Sequence, residues 1–147
     1  MQAERVPGAG QGRAFHFAQK VLFKHCDPAG IVFYPRYFEM INDCVEAFFD
    51  EALDWPFETI HTTGAIPTAE ISATFRRVSR HGDHLDFALA HAVPGRTSLG
   101  LVFTVTCGDE LRFEARSTIV NVDTVGKPLP WPDALRARLT SDTGDTR

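Results

Sequence analysis

Hydrophobic positions along this chain switch between two periods, and the switches mark its elements. Phe15, Phe17, Gln19, Val21 and Phe23 alternate with Ala14, His16, Ala18, Lys20 and Leu22, the period of two that lets a strand present a mostly apolar face. A turn-rich stretch follows at 25–34. Pro35 then suits the first turn of a helix, where its missing N–H costs nothing. From there Phe38, Ile41, Val45, Phe48 and Ala52 recur at spacings of three and four, and so do Glu39, Asp43, Glu46 and Asp50. The spacing predicts one amphipathic helix over 35–53, with the first stripe in the core and the second in water. Placing Glu39 and Asp43 four apart costs only about 0.2–0.5 kcal/mol, which burial of the Phe/Ile stripe exceeds.

Asp54-Trp55-Pro56-Phe57 ends the helix, and a polar connection runs to Gly64. Strand character then fills most of the chain. The first such segment runs from 68 to about 78. Leu85, Phe87, Leu89, His91 and Val93 alternate in the second, Leu99, Leu101, Phe103, Val105 and Cys107 in the third, and Leu111, Phe113, Ala115, Ser117 and Ile119 in the fourth. The links His81-Gly82-Asp83, Pro94-Gly95-Arg96 and Gly108-Asp109-Glu110 are short turns, which implies antiparallel neighbours. The order β-α-β-β-β-β places the chain in the α+β class, with an antiparallel sheet of about five strands wrapped around one long helix. No linker divides 13–140, which reads as one domain. A flexible tail is expected over 1–12, whose glycines have no strand before them and so do not make a phosphate loop. A short amphipathic segment at 133–139 leads into a polar tail at 141–147.

Composition narrows the function classes. A hydrophobic fraction of 44% with 23% charged residues is ordinary for a globular protein of 147 residues. No apolar run approaches the roughly 20 residues that span a bilayer, and no basic-then-apolar leader opens the chain. Cys26, Cys44 and Cys107 are widely spaced, without a CxxC pair, and read as reduced thiols of a cytoplasmic protein. The net charge of −4 is uneven: eight acids and no Lys or Arg fall between Tyr37 and Phe75. No basic stripe with interleaved aromatics appears, so bulk nucleic-acid binding is disfavoured.

The candidate chemistry lies in His25-Cys26-Asp27-Pro28-Ala29-Gly30-Ile31-Val32-Phe33-Tyr34-Pro35. One carboxylate sits in a Pro/Gly turn just ahead of a helix start. The first N–H groups of a helix lack intrahelical partners, and the dipole adds partial positive charge there. Asp27 is either a simple turn-former, Asp-Pro being a common turn starter, or a reacting group. The Tyr34 side chain is expected in the core. His25 reads as a surface or loop-stabilising residue ahead of a catalytic one. His81 and His84 read as solvated turn residues rather than metal ligands. Glu70 is expected to be partly buried and paired with Arg76 or Arg77, or across subunits. Arg76, Arg77 and Arg80 read as a solvated edge ahead of a contact to a small phosphorylated ligand.

The run from Asp27 to Pro35, entering a long helix and followed by four strands, resembles the 4-hydroxybenzoyl-CoA thioesterase family of hotdog-fold proteins. The resemblance covers about 14–122. It implies hydrolysis of an acyl-CoA thioester with no metal or redox cofactor, coenzyme A being part of the substrate. It implies a homodimer or homotetramer with active sites between subunits, and no nucleic-acid or membrane partner. By position Asp27 matches the catalytic carboxylate, acting as nucleophile or as general base, and Tyr34 the residue whose backbone N–H polarises the carbonyl. Gly30 belongs to the same substrate-facing loop. Phe57 matches an acyl-pocket aromatic, Ile66-Pro67-Thr68 a substrate-facing strand entry, and Arg96 and Ser98 a turn that contacts CoA. In the short-chain branch a histidine stands where Tyr34 is, so an aromatic (4-hydroxybenzoyl- or benzoyl-like) or medium-size acyl group is expected. The alternatives are an acyl-carrier-protein thioesterase and a non-enzymatic acyl-CoA-binding module on the same fold.

Overall fold

The period-two segments become strands in the computed structural model, which describes residues 14–144. They are β1 (Phe15–Lys20), β2 (Gly64–Ala65), β3 (Thr68–Phe75), β4 (His84–His91), β5 (Ser98–Cys107), β6 (Glu110–Val120) and β7 (Val122–Asp123). Five of them form one antiparallel sheet in the order β1-β4-β5-β6-β3, and β2 pairs with β7 separately. Alternate residues of the inner strands point to one face: Leu85, Phe87 and Leu89 on β4, Leu101, Phe103 and Val105 on β5, and Phe113 and Ile119 on β6 are all buried.

Helix α1 (Pro35–Ala47) packs on that face. Tyr37 meets Phe113 with ring centroids 4.4 Å apart, and Phe48, just past the helix, meets Phe15 at 5.6 Å. Two features differ from the expected helix. Its buried face is Tyr37, Met40, Ile41, Cys44 and Val45, continued by Phe48 and Phe49, whereas Phe38 is half-buried and Ala52 exposed. A helix embraced by a curved sheet buries a broader arc than one stripe, and here the arc is rotated towards Tyr37. The final stretch, Phe48–Ala52, is a π turn, which widens the helix where both Phe48 and Phe49 enter the core. The Trp55 N–H then donates to the Phe49 carbonyl, and Asp54 takes φ +52 as the chain turns away.

Two short helices complete the chain, α2 (Phe57–Ile60) and α3 (Asp133–Gly144). The second runs four residues into the stretch expected to be a polar tail. It is anchored by buried Leu135 and Leu139, and Trp131 just before it is buried and donates from Nε1 to the Ser98 carbonyl at 3.0 Å. Arg138 donates to the Leu53 carbonyl, so α3 closes the end of the core where α1 finishes. The tail expected over 1–12 lies outside the described residues. Among those described, no helix is long and apolar enough to cross a membrane.

Strand β3 is an edge, and it stops at Phe75 rather than near 78. The N–H groups of Arg76 and Arg77 both turn to the Arg112 carbonyl, at 2.8 and 3.1 Å, which ends the ladder. Ile71 and Phe75 lie opposite Ser117 and Phe113, yet they are 39% and 44% exposed. Glu70 is exposed rather than buried, and Arg76 and Arg77 pair with Glu114 and Glu110 instead of with it.

The segment after β3 is fastened by Arg112, whose side chain is only 12% exposed. Its Nη1 donates to Asp83 Oδ2 at 2.7 Å, to Ser79 Oγ at 3.1 Å and to the Val78 carbonyl at 3.2 Å. Its Nε lies 2.7 Å from Glu110 Oε1 without the alignment of a hydrogen bond. The Arg112 hydrogen bond, and after it the Arg80 N–H, hold the Asp83 carboxyl below its ordinary pKa of 3.8. A depressed carboxyl pKa gives stability that is full above the ordinary value and lost as pH falls through the lower folded value. Asp83→Ala should therefore lower the unfolding free energy by about 1–2 kcal/mol at neutral pH, a charge-assisted bond discounted for partial exposure. The gap between the variant and the natural chain should close below about pH 4, as measured by urea melts across pH.

Candidate active site

The loop between β1 and α1 is built from backbone contacts to the segment that Arg112 fastens. Val21 donates to the Asp83 carbonyl and accepts from Gly82, both at 2.8 Å. After a 3₁₀ turn at Phe23–His25, the chain folds back on itself. Phe33 donates to His25 and Asp27 donates to Ile31, both at 2.9 Å, with Cys26 bridged to Val32 between them. Val32 donates to the Ser79 carbonyl at 2.9 Å, and Ile31 is bridged to Arg80. Residues 25–34 are thus a small hairpin stitched to 79–83.

Asp27-Pro28-Ala29-Gly30 forms the tip. Gly30 donates to the Asp27 carbonyl at 2.9 Å and takes φ +84, a left-handed conformation that glycine adopts without strain. Pro28 presets the second position of the turn. The Ala29 N–H donates to Asp27 Oδ1 at 2.9 Å, which orients the half-buried carboxylate. Oδ2 has no hydrogen-bond partner among the described residues.

Tyr34 follows as the residue before α1. Its carbonyl accepts from Tyr37 at 3.0 Å, but its own N–H has no partner among the described residues, and Pro35 has none to offer. An unpaired donor therefore sits at the positive end of the helix, in the same hairpin as the carboxylate. The Tyr34 side chain is 58% exposed, not in the core as expected. It leans on Phe33 and Phe75 because α1 begins beside the open β3 edge, where no further strand covers it. With Tyr37, Val32, Phe75 and Val78 it lines an apolar hollow of about 420 Å³.

A second cavity of about 580 Å³ lies towards the other end of the sheet. It gathers Phe57, Ile66, Pro67 and Thr68, all four expected from the sequence, against Val45 of α1. Its polar lining was missed: Asn42, His61 and Ser117. Ser117 carried a signal, being a hydroxyl at an apolar position of the β6 alternation, and it is buried. Asn42 and His61 stood on solvent-facing or irregular stretches and carried none.

Within one chain these two groups share no lining residue, and they touch where Phe38 of the cavity meets Phe75 of the hollow, with ring centroids 6.5 Å apart. Asp27, Gly30 and Tyr34 sit beyond the Phe75 end of β3, whereas the second cavity runs from the Thr68 end of β3 to Ile71 and to Phe38 of α1. Thr68 and Phe75 are the first and last of the eight residues of β3, about 23 Å apart. Arg96 and Ser98 also lie at the Thr68 end, since Ser98 pairs with Val120. Their backbone is tied to the C-terminal segment: Trp131 donates to the Arg96 carbonyl and, through Nε1, to the Ser98 carbonyl. The Arg96 side chain is exposed, whereas Glu70 lies apart in a polar hollow with Ser72 and Arg116.

Comparison with known proteins agrees with this architecture. Residues 21–139 match the thioesterase-like superfamily. No protein of curated function matches the chain. Among solved structures, a 1,4-dihydroxy-2-naphthoyl-CoA thioesterase from Synechocystis superposes with a TM-score of 0.79 at 18% identity, covering 86% of this chain and 95% of that one. A gentisyl-coenzyme A thioesterase gives 0.77 at 22%, covering 86% and 99%. An aspartate-to-asparagine mutant of 4-hydroxybenzoyl-CoA thioesterase, in complex with 4-hydroxybenzoyl-CoA, gives the same values. The chain belongs to the thioesterase-like superfamily and is a hotdog-fold thioester hydrolase.

Proposed function

We propose that this chain hydrolyses the thioester of an aromatic or medium-size acyl-CoA to the free acid and CoA. The observation that carries the reading is the unpartnered Tyr34 N–H at the start of α1, in one hairpin with the oriented Asp27 carboxylate. A thioester carbonyl placed on that N–H gains a hydrogen bond that strengthens as its oxygen becomes anionic. Asp27, with Oδ2 uncommitted, then attacks the carbonyl carbon or takes a proton from an attacking water. On the first route CoA leaves as thiolate and water cleaves the mixed anhydride. On either route the carboxylate, the N–H and water supply the chemistry, with CoA entering as part of the substrate.

The acyl group belongs in the second cavity, whose walls are Phe57, Ile66 and the apolar side of α1. A volume of about 580 Å³ accommodates a ring or a medium chain, and the names of three structurally similar thioesterases all specify aryl-CoA substrates. Because the cavity shares no lining residue with the Tyr34 hollow and extends away from it to the Thr68 end of β3, we infer that the working site is shared by two copies. Antiparallel apposition of two β3 edges sets the Thr68 end of one copy beside the Tyr34 hollow of the other. It also covers Phe75, which a lone chain leaves 44% exposed, while Ile71 stays a wall of the cavity. Arg96 and Ser98, at the Thr68 end, then face the outgoing CoA.

Asp27→Asn keeps an acceptor for the Ala29 N–H, so the fold should survive. Thiol release from a panel of aryl- and alkyl-CoA thioesters should fall by at least about 100-fold with an unchanged melting temperature; near-normal turnover contradicts the assignment. Tyr34 offers a separate test of the donor. Its φ of −55 is one that proline accepts, so Tyr34→Pro deletes the N–H where Tyr34→Ala deletes only an exposed ring. The proline variant should lose about 10²–10³ in kcat and the alanine variant far less. Equal losses would remove the Tyr34 N–H from the mechanism.

A further inference from the structure

We propose that His25 is a positioning residue for the reacting loop: its neutral ring, accepting the Leu22 N–H at Nδ1, holds the hairpin that carries Asp27, and protonation releases it. The inference rests on the reading of Asp27 as the reacting carboxylate.

His25 touches both arms of the hairpin. On the incoming arm the Leu22 N–H donates to its Nδ1 at 2.9 Å, and its own N–H donates to the Leu22 carbonyl at 2.9 Å. On the outgoing arm its carbonyl accepts the Phe33 N–H at 2.9 Å. Asp27 is two residues along one arm, and Tyr34 follows Phe33 on the other. The orientation of one residue therefore sets the separation of the carboxylate and the helix-start donor. His25 as a whole is 5% exposed, so no water readily replaces a lost contact.

The direction of the Leu22 hydrogen bond fixes the chemistry. A backbone N–H can only donate, so Nδ1 carries the lone pair and the ring proton sits on Nε2. Adding a proton to Nδ1 sets two donors against each other and leaves the Leu22 N–H without an acceptor. The charged groups acting on the ring are Lys24 beside it, and Arg36, Glu39 and Asp43 on α1. Burial, and after it Lys24, oppose protonation, while Glu39 and Asp43 favour it; the balance holds the pKa below the ordinary 6.5. For a histidine with a lowered folded pKa, the contribution to stability is complete above 6.5 and declines as pH falls from there, while the contact itself is lost only as pH passes the lower folded value. Activity of the folded chain should follow the contact, with its acid limb below 6.5.

The test compares kcat and KM between about pH 5 and pH 9 for the natural chain, His25→Leu and His25→Asn. Leucine fills the space without an acceptor; asparagine places an oxygen near the Nδ1 position and does not titrate. We expect His25→Leu to lose about 10–100-fold in kcat at alkaline pH with KM changed less than about threefold. His25→Asn should recover most of that loss and lack the acid limb that the natural chain shows below 6.5. Imidazole ¹⁵N NMR of the natural chain should show the Nε2-protonated tautomer. Natural kcat in His25→Leu, equal impairment of both variants, the other tautomer, or an acid limb retained in His25→Asn would each overturn the proposal. If circular dichroism shows His25→Leu unfolded, the His25→Asn profile and the tautomer decide. If Asp27→Asn is inactive while both His25 variants behave as the natural chain, this inference fails alone. If the natural chain releases no thiol, the reading of Asp27 fails, and the tautomer still reports on His25.

Discussion

The hydrogen bond from Val32 to the Ser79 carbonyl is the joint on which the candidate site depends. It fastens the hairpin carrying Asp27 to a segment that belongs to no strand. That segment is itself held in place from β6, where Arg112 reaches Val78, Ser79 and Asp83. Force balance thus runs from a strand in the sheet, through a largely buried guanidinium, to the turn that orients a carboxylate. Loops carry function when a rigid scaffold positions them, and here the scaffold contact is a short relay of named atoms. At shorter range the His25 carbonyl ties the two arms of the hairpin by accepting the Phe33 N–H.

The second constraint is the width of the sheet. Helix α1 covers the inner face of the central strands but only part of β3, where Tyr37 and Phe38 meet Phe75, so Ile71 and Phe75 remain partly exposed with core-facing geometry. An apolar edge of this kind is a liability in a lone chain. The same edge separates the carboxylate from the cavity that suits an acyl group. One arrangement, two β3 edges side by side, resolves both difficulties at once, which is why the composite site is the reading we favour.

Much of this was legible in the sequence, for physical reasons that differ by element. The alternation in β4, β5 and β6 is strong because one face is fully buried, so each wrong register would expose several large side chains. The Asp27 turn was legible because proline, glycine and an aspartate oxygen bonded to Ala29 act over three residues, a range that local sequence reports. The π turn at Phe48–Ala52 was not, since the apolar spacing there is compatible with an α-helix and only the packing of two consecutive phenylalanines selects the wider turn. The exposed Tyr34 ring and the outward Glu70 were misjudged because both depend on β3 being an edge, a property of strand order rather than of any segment. The length of α3 was missed for a related reason: its anchors, Leu53 and Ser98, are far away in the chain.

The central claim is that the carboxylate of one copy works on an acyl group held by another, and subunit complementation tests it most directly. Asp27→Asn removes the reacting group, and Thr68→Trp, at an exposed position lining the cavity, blocks the acyl site. Each variant alone should be inactive. Unfolded and refolded together, they form mixed pairs in which one site joins an intact Asp27 to an intact cavity, so thiol release should return. If the mixture stays as inactive as its components while mixed pairs are present, each chain carries its own complete site and the account is wrong.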